Sequence, residues 1–271
     1  MWIAAVAVSV ITVIASFSNT YNTQPIIGLC ITFLLLCIIG LAYKSTPIQH
    51  LRGLILISSF IYFGFVMGGC PCLLFYFQGA ILFLIGKTTF WLSFAFIITL
   101  LVLSVIFGAI WCGWLCWLGA FQEFIFKLNR WELLKSKKAR KTLIYIQTWA
   151  FVVFVAWIIY AQRQVLCGYD PFISIVRIQI YNWVGYITVP LLIISSLFIY
   201  RPFCRILCPI GWLLYVVKYL PFAAKLNIAE CTDCGRCHSY CKLHAIQNKQ
   251  VEKTCIMCGE CKNSNCSAIT I

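Results

Sequence analysis

This sequence predicts an all-α polytopic membrane domain of about six transmembrane helices, followed by a small, cysteine-dense C-terminal domain. Three observations lead there. Of its 271 residues, 62% are hydrophobic and 10% charged, with a mean hydropathy of +0.93, whereas a soluble domain carries roughly 25% charged residues. The apolar residues gather in runs of about 17–25, the length that crosses a hydrocarbon layer as a helix. Eight of the seventeen cysteines fall in the last 41 residues, which sets that stretch apart. The chain therefore divides into a transmembrane part, 1–228, and a tail, 229–271.

Spans fall near 2–18, 26–43, 52–69, 91–110, 143–161 and 183–200. Residues 2–18 lack a basic leader and a small-residue cleavage site, so they read as a retained span and not as a signal peptide. Residues 70–86 are apolar too, but Gly69-Cys70-Pro71-Cys72 and Gln78-Gly79 interrupt them. They suit a short re-entrant or interfacial helix, with a seventh span as the alternative.

Orientation follows the basic residues. The connection before 143–161 holds Lys127, Arg130, Lys135, Lys137, Lys138, Arg140 and Lys141, whereas 162–182 holds only Arg163 and Arg177. Lys- and Arg-rich connections stay inside, which makes the tail cytoplasmic and, with six crossings, keeps Lys44 and Arg52 inside too. The expected location is the cytoplasmic (inner) membrane of a prokaryote, with membrane lipid as a partner and the ten tryptophans as interfacial belts. Residues 117–134 read as an amphipathic helix along the cytoplasmic surface. Its polar, solvated face carries Gln122, Glu123, Lys127 and Arg130, with contact of Gln122 and Glu123 to a quinone headgroup as the alternative. Residues 209–223 look similar, with Lys218 polar.

The net charge of +14 would suit nucleic acid, but the basic residues sit at the ends of apolar runs and between cysteines, as membrane loops do, which argues for no nucleic-acid partner. None of the seven acidic residues lies inside an apolar run, which argues against a pump or channel.

In the tail, Cys231, Cys234, Cys237 and Cys241 read C-x2-C-x2-C-x3-C, and Cys255, Cys258, Cys261 and Cys266 follow with an x4 ending. Three cysteines at x2 spacing put three sulfurs around one iron–sulfur cube, and in two-cluster ferredoxins the fourth serves the other cube. Zinc ribbons instead pair C-x2-C units across a longer loop. The tail is thus expected to be a ferredoxin-like domain with two [4Fe–4S] clusters. One takes Cys231, Cys234, Cys237 and Cys266; the other takes Cys241, Cys255, Cys258 and Cys261. So short a segment buries little core, and metal binding must supply much of its folding free energy. Unpaired thiols in this number also point to a reducing compartment. His238 and His244 read as surface residues.

Two more pairs sit at the cytoplasmic ends of spans: Cys112 and Cys116 in GAIWCGWLCWLGAFQ, and Cys204 and Cys208 in RPFCRILCPIG. On a helix, residues i and i+4 share a face, so each pair presents two sulfurs together, and the four are expected to converge on an additional redox site. Cys70 and Cys72, too close for an ordinary disulfide, are candidates for continuing it outward. Buried inert thiols are the alternative, and Cys30, Cys37 and Cys167 read that way.

In these motifs the chain resembles the membrane-bound polyferredoxins of the NapH and NosR-core type. That family places two C-x3-C-P motifs at the ends of transmembrane helices ahead of a two-[4Fe–4S] tail. The residues that carry the likeness are Cys112–Cys116, Cys204–Cys208–Pro209 and the tail cysteines, together with Gly168-Tyr169-Asp170-Pro171-Phe172, which is similar to an Asp-Pro-Phe element between the motifs. Trp117 stands where the family has proline, Lys242 and Ser267 stand where proline follows a ferredoxin run, and the first hundred residues match no family pattern. The resemblance implies electron transfer between a cytoplasmic donor or the quinone pool and a redox partner protein, as a quinol dehydrogenase or an electron-transfer subunit of an oxidoreductase complex. A maturation or assembly factor that reduces a metal or thiol of a partner enzyme is the alternative, and a redox sensor a third reading. Haem b is disfavoured, because His50 is the one histidine outside the tail and two would be needed in spans.

Overall fold

A computed structural model describes residues 24–45, 48–66, 72–89, 91–129, 133–134, 136–165, 175, 183–228, 235–247, 250–264 and 269–270. The expected span 2–18, the side chain of Cys30, Cys70, Cys167, the Asp-Pro-Phe element and Cys231, Cys234 and Cys266 lie outside the described residues.

The N-terminal part is a set of apolar helices, because a backbone surrounded by apolar groups must satisfy its own hydrogen bonds. Helix α1 is Gln24–Ser45. A single 3-10 turn, Ile48–Leu51, leads into α2 (Arg52–Ser59), which widens into π-helical turns over Phe60–Val66. Then come α3 (Leu73–Leu84) and α4 (Trp91–Phe107), packed on each other. After a π-helical turn at Trp111–Leu115 follow α5 (Trp117–Lys127) and the long α6 (Lys137–Ala161). The last are α7 (Trp183–Phe198), α8 (Pro202–Ile206) and α9 (Pro209–Val217). Among the described residues, Ile48–Val66 and Lys137–Ala161 are long and apolar enough to cross a membrane, while Thr32–Tyr43, Leu73–Leu84, Trp91–Phe107 and Val184–Phe198 are shorter apolar helices.

Helix α6 is inside-out by the standard of a soluble protein. Tyr145, Trp149, Val152, Val153 and Tyr160 point outward, whereas Arg140 and Gln147 are buried. Water would reverse that order; lipid accepts it. Its ends are well defined. The Ser136 hydroxyl accepts from Ala139 N at 3.1 Å, an N-cap, and Gln162 closes the helix in the left-handed region at φ 50°.

Two elements differ from expectation. Helix α5 does not lie solvated along a surface: Gln122 and Glu123 are 0% and 2% exposed, and the helix packs against α2 and α7. Lys218, at the end of α9, is also buried. In each case a polar side chain meets a buried polar partner distant in sequence, which hydrophobic periodicity cannot register.

The tail is built of two-residue antiparallel ladders. Strand β1 (Asn227–Ile228) pairs with β4 (Ile269–Thr270), and β2 (Ile246–Gln247) with β3 (Gln250–Val251). Helix α10 (Arg236–Tyr240) packs on the 3-10 turn Glu260–Ser264. An aromatic seam underlies the tail: Tyr76 stacks on Phe96 at 4.4 Å, Phe96 meets Trp111 edge-on at 6.1 Å, and Trp114 donates from Nε1 to Met257 O at 3.0 Å.

Glycine decides how closely α1 and α4 approach. A Cβ on Gly40 would lie 2.6 Å from the Phe107 ring. Replacing Gly40 by valine should therefore cost about 1–3 kcal/mol by overpacking, read as a lower thermal midpoint in detergent.

Candidate functional site

The two C-x3-C motifs have the same local build. In each, a short helical turn ends at the second cysteine, which is extended and caps the next helix: Cys116 (φ −68°, ψ 105°) before α5, and Cys208 (φ −69°, ψ 115°) before α9. The sulfurs of a pair therefore approach across a helix break, and not along one helical face as the i, i+4 spacing suggested. The Cys208 sulfur accepts from Gly211 N at 3.4 Å, and Cys116 occupies the same N-cap position before α5. Both sulfurs thus sit where a helix N-terminus favours negative charge. The glycines are required. A Cβ on Gly211 would lie 2.8 Å from Cys204 O, and one on Gly119 would lie 2.7 Å from the Arg201 guanidinium.

Cys112, Cys116, Cys204 and Cys208 all line one cavity of about 90 Å³. Two buried glutamines hold its walls. Gln147 donates to Cys204 O at 3.0 Å and Cys208 O at 3.1 Å. Gln122 accepts from Phe203 N at 2.9 Å and donates to Leu118 O at 3.0 Å and the Cys204 sulfur at 3.4 Å. Cys72 is buried at the start of α3, beside the cavity-lining Leu73.

A buried charge network runs behind this cavity. Arg52 donates to both oxygens of Glu123 at 2.8 and 2.7 Å, to Glu260 at 2.5 Å and to Gly113 O at 3.1 Å. Glu123 also accepts from Tyr200 Oη at 2.7 Å and Arg201 at 2.6 Å, and Arg201 donates to Cys112 O as well. Burial by itself would push the Glu123 carboxyl up, but Arg201 and Arg52 outweigh it and hold the group well below the usual carboxylate range.

The donor chemistry suits a polynuclear cluster. Burial, then the neighbouring sulfur charges, pushes the thiols of Cys112, Cys116 and Cys204 up to about 12, so thiolates here need a cation among them. Four thiolates on one zinc would stand about 3.8 Å apart, yet among the described residues no three such ligands are close enough for a single ion. A thiolate-bound cluster carries net negative charge, and Arg140, Arg201 and Lys218 line the cavity to meet it. Burial lowers the pKa of Lys218, and the charges of Cys255 and Cys112 oppose that shift. Arg201 Nε and Thr254 Oγ1 are buried without a protein partner, on residues that line this cavity. A cluster's sulfur atoms would accept from such donors.

A second, smaller cavity of about 20 Å³ lies under the tail and is lined by Cys241, Cys255, Cys258 and Cys261. Here Ala245 N donates to the Cys241 sulfur at 3.3 Å and Met257 N to the Cys255 sulfur at 3.4 Å. Left-handed backbone at Met257 (φ 55°) and Gly259 (φ 79°) folds the loop around the site. Cys237 is the described member of the other tail set, and it is buried in α10.

The two cavities share a wall formed by Leu243 and Ile256. A Cβ on Gly113 would lie 2.5 Å from Ile256 O and 3.3 Å from Cys258 N, so the loops bearing Cys112 and Cys258 touch backbone to backbone. Lys218 spans the same junction, donating to Lys253 O at 3.0 Å and to Cys255 O.

Comparison with known proteins agrees with this chemistry. A family model described as a 4Fe-4S binding domain matches residues 89–141 and 181–226, the stretches that contain the two C-x3-C pairs. The chain is 29% identical over 225 residues to an uncharacterised protein of Methanocaldococcus jannaschii, covering 80% of this chain and 92% of that one. It is 27% identical over 183 residues to YccM of Escherichia coli, named for electron transport, covering 61% of this chain and 50% of YccM. It is 26% identical over 166 residues to the regulatory protein NosR of Pseudomonas aeruginosa, covering 56% of this chain and 23% of NosR. The chain thus spans nearly all of the archaeal relative but only half of YccM and less than a quarter of NosR. No solved structure matches it.

Sequence reasoning passed over Arg52, Gln147 and the buried role of Glu123. Glu123 sits with Gln122, Lys127 and Arg130 at amphipathic spacing, so the local pattern gives no signal of its burial. Removing its charge would leave two buried guanidiniums sharing no anion, which costs about 3–5 kcal/mol. Glu123→Gln should therefore lower the thermal midpoint sharply. Because the carboxyl titrates below its ordinary value of about 4.3, its contribution is fully present above that pH and is lost only as pH falls further. Wild-type stability should show no loss through this group between pH 7 and 5, checked by thermal melts across that range.

Proposed function

We propose that the chain is an iron–sulfur electron-transport protein of the NosR/NapH type. It is a multi-pass protein of the prokaryotic cytoplasmic membrane that passes electrons between a cytoplasmic donor or the quinone pool and a redox partner protein. The observation that carries this reading is the single cavity lined by Cys112, Cys116, Cys204 and Cys208, walled off from the tail's cysteine cavity by only Leu243 and Ile256.

In this reading, three sets of thiolates hold centres. Cys241, Cys255, Cys258 and Cys261 hold one [4Fe–4S] cluster in the tail; Cys231, Cys234, Cys237 and Cys266 hold the other. Cys112, Cys116, Cys204 and Cys208 hold a further centre at the membrane edge. Bound clusters supply one-electron exchange without bond making in the protein. The chain's own residues do the rest. Arg140, Arg201 and Lys218 offset the negative charge, Gln122 and Gln147 fix the cysteine loops, and the buried Trp114 and Trp117 exclude water.

Six crossings with a cytoplasmic tail are supported by the basic 135–141 segment and by the outward apolar face of α6. An open apolar groove of about 510 Å³ along α6 includes Tyr145, Trp149 and Leu207, and Leu207 lies between Cys204 and Cys208. It offers a quinone a lipid-side approach to the membrane-edge centre. The relative named as a regulatory protein favours a second reading, in which the chain reduces a metal or thiol of a partner enzyme during assembly.

Iron and acid-labile sulfide per chain, with EPR of the reduced full-length protein, test the assignment. Cys112→Ser and Cys208→Ser should each lower iron by about one cluster's share, or abolish electron exchange, while the tail signals persist. A Cys112→Ser/Cys208→Ser double variant with normal iron and normal transfer from a reduced donor would overturn it. Reduction of copper or a disulfide without quinone activity would favour the assembly reading.

A further inference from the structure

Beside the loop that lines the tail's cysteine cavity, one buried polar group has nothing to bond to among the described residues. Tyr43, at the end of α1, is 1% exposed, and its hydroxyl has no hydrogen-bond partner among them. Leaving a buried hydroxyl unpaired is costly, so its place here calls for an acceptor. The ring lies against the loop between Cys258 and Cys261. A Cβ on Gly259 would stand 3.1 Å from Tyr43 Cε2 and 3.7 Å from its hydroxyl.

The surroundings leave the phenol no other task. Trp114 meets its ring edge-on at 5.9 Å, and the ring stem packs in the core. Lys262 Nζ sits 4.3 Å over the ring and donates to the Tyr43 backbone carbonyl at 3.5 Å, not to the hydroxyl. A cation over a phenol ring draws electron density from it and makes the O–H a stronger donor. Tyr200, the tyrosine that lines this cavity, has its O–H committed to Glu123 at 2.7 Å.

The geometry points to Tyr43 as a tuning residue, whose O–H donates a hydrogen bond to the sulfur shell of the centre held by Cys241, Cys255, Cys258 and Cys261. This rests on the assignment of that cavity made above. A hydrogen bond to cluster sulfur stabilises the more negative, reduced state more than the oxidised one and so raises the reduction potential. The potential of a tail centre is thereby set from a membrane helix, and it depends on the tail being docked. A tail swung away from α1 would lose the bond and hold its electron less tightly.

Tyr43→Phe keeps the ring and removes only the donor. In an EPR-monitored redox titration of the detergent-solubilised full-length protein, one cluster's midpoint should move to a more negative potential at unchanged iron content, with the remaining signals in place. An unchanged midpoint with full iron would overturn the proposal. Loss of iron from Tyr43→Phe would overturn it as well, because four thiolates do not release a cluster for want of one hydrogen bond. Cys258→Ala separates the two levels of the argument: if it keeps wild-type iron, the cavity assignment fails and the tuning role falls with it.

Discussion

Two arginines and one glutamate, buried together, hold this molecule in register. Arg52, Glu123 and Arg201 are each almost completely shielded from solvent, where an isolated charge costs several kcal/mol of lost hydration. The arrangement is tolerable because nearly every donor and acceptor is used. Glu123 takes a two-pronged bond from Arg52, a second guanidinium from Arg201 and the Tyr200 hydroxyl. The remaining arms of the arginines reach Gly113 O, Cys112 O and Glu260. One carboxylate thus ties α2, the first cysteine loop, the end of α7 and the tail to a common point. Shifting any of these would strand a buried charge.

From that point the electrostatics of the cysteine sites follow. Thiols crowded into an apolar cavity resist ionisation, and the fold opposes this with two helix N-termini and five cationic side chains at the wall. The same residues that hold the cavity also hold the tail to it. Lys218 caps tail carbonyls from α9, Trp114 bonds Met257 O, and Gly113 lets the Cys258 loop come into backbone contact. The tail is therefore fastened to the helical part by buried contacts.

The helical part shows the opposite polarity from a water-soluble bundle. Its large apolar side chains on α6 face outward, and its few polar residues face inward to bond loops. Glycine is placed where the chain is closely approached: Gly40 by the Phe107 ring, Gly119 by the Arg201 guanidinium, and Gly113 and Gly211 by the backbone of the tail and of Cys204. Close contact of this kind is how apolar helices pack when the surrounding medium is no less oily than their own side chains.

The chain's spacing and composition carried the chemistry. Cysteine triplets at x2 intervals dictate which sulfurs can surround one cube, because three consecutive turns of a loop bring them within reach whatever lies around. Long apolar runs likewise announce helices: from residue 26 onward, each expected span lies on one. What local pattern could not carry was the fate of isolated polar residues. Glu123, Gln122, Gln147 and Lys218 look like the wet faces of surface helices, and they are buried because partners stand between 35 and 82 residues away along the chain. The convergence of Cys112, Cys116, Cys204 and Cys208 on one cavity was legible in the repeated C-x3-C frames, but the helix breaks across which they meet were not. Periodicity reads neighbours a few residues apart; only the closed tertiary structure brings together groups that the sequence holds far apart.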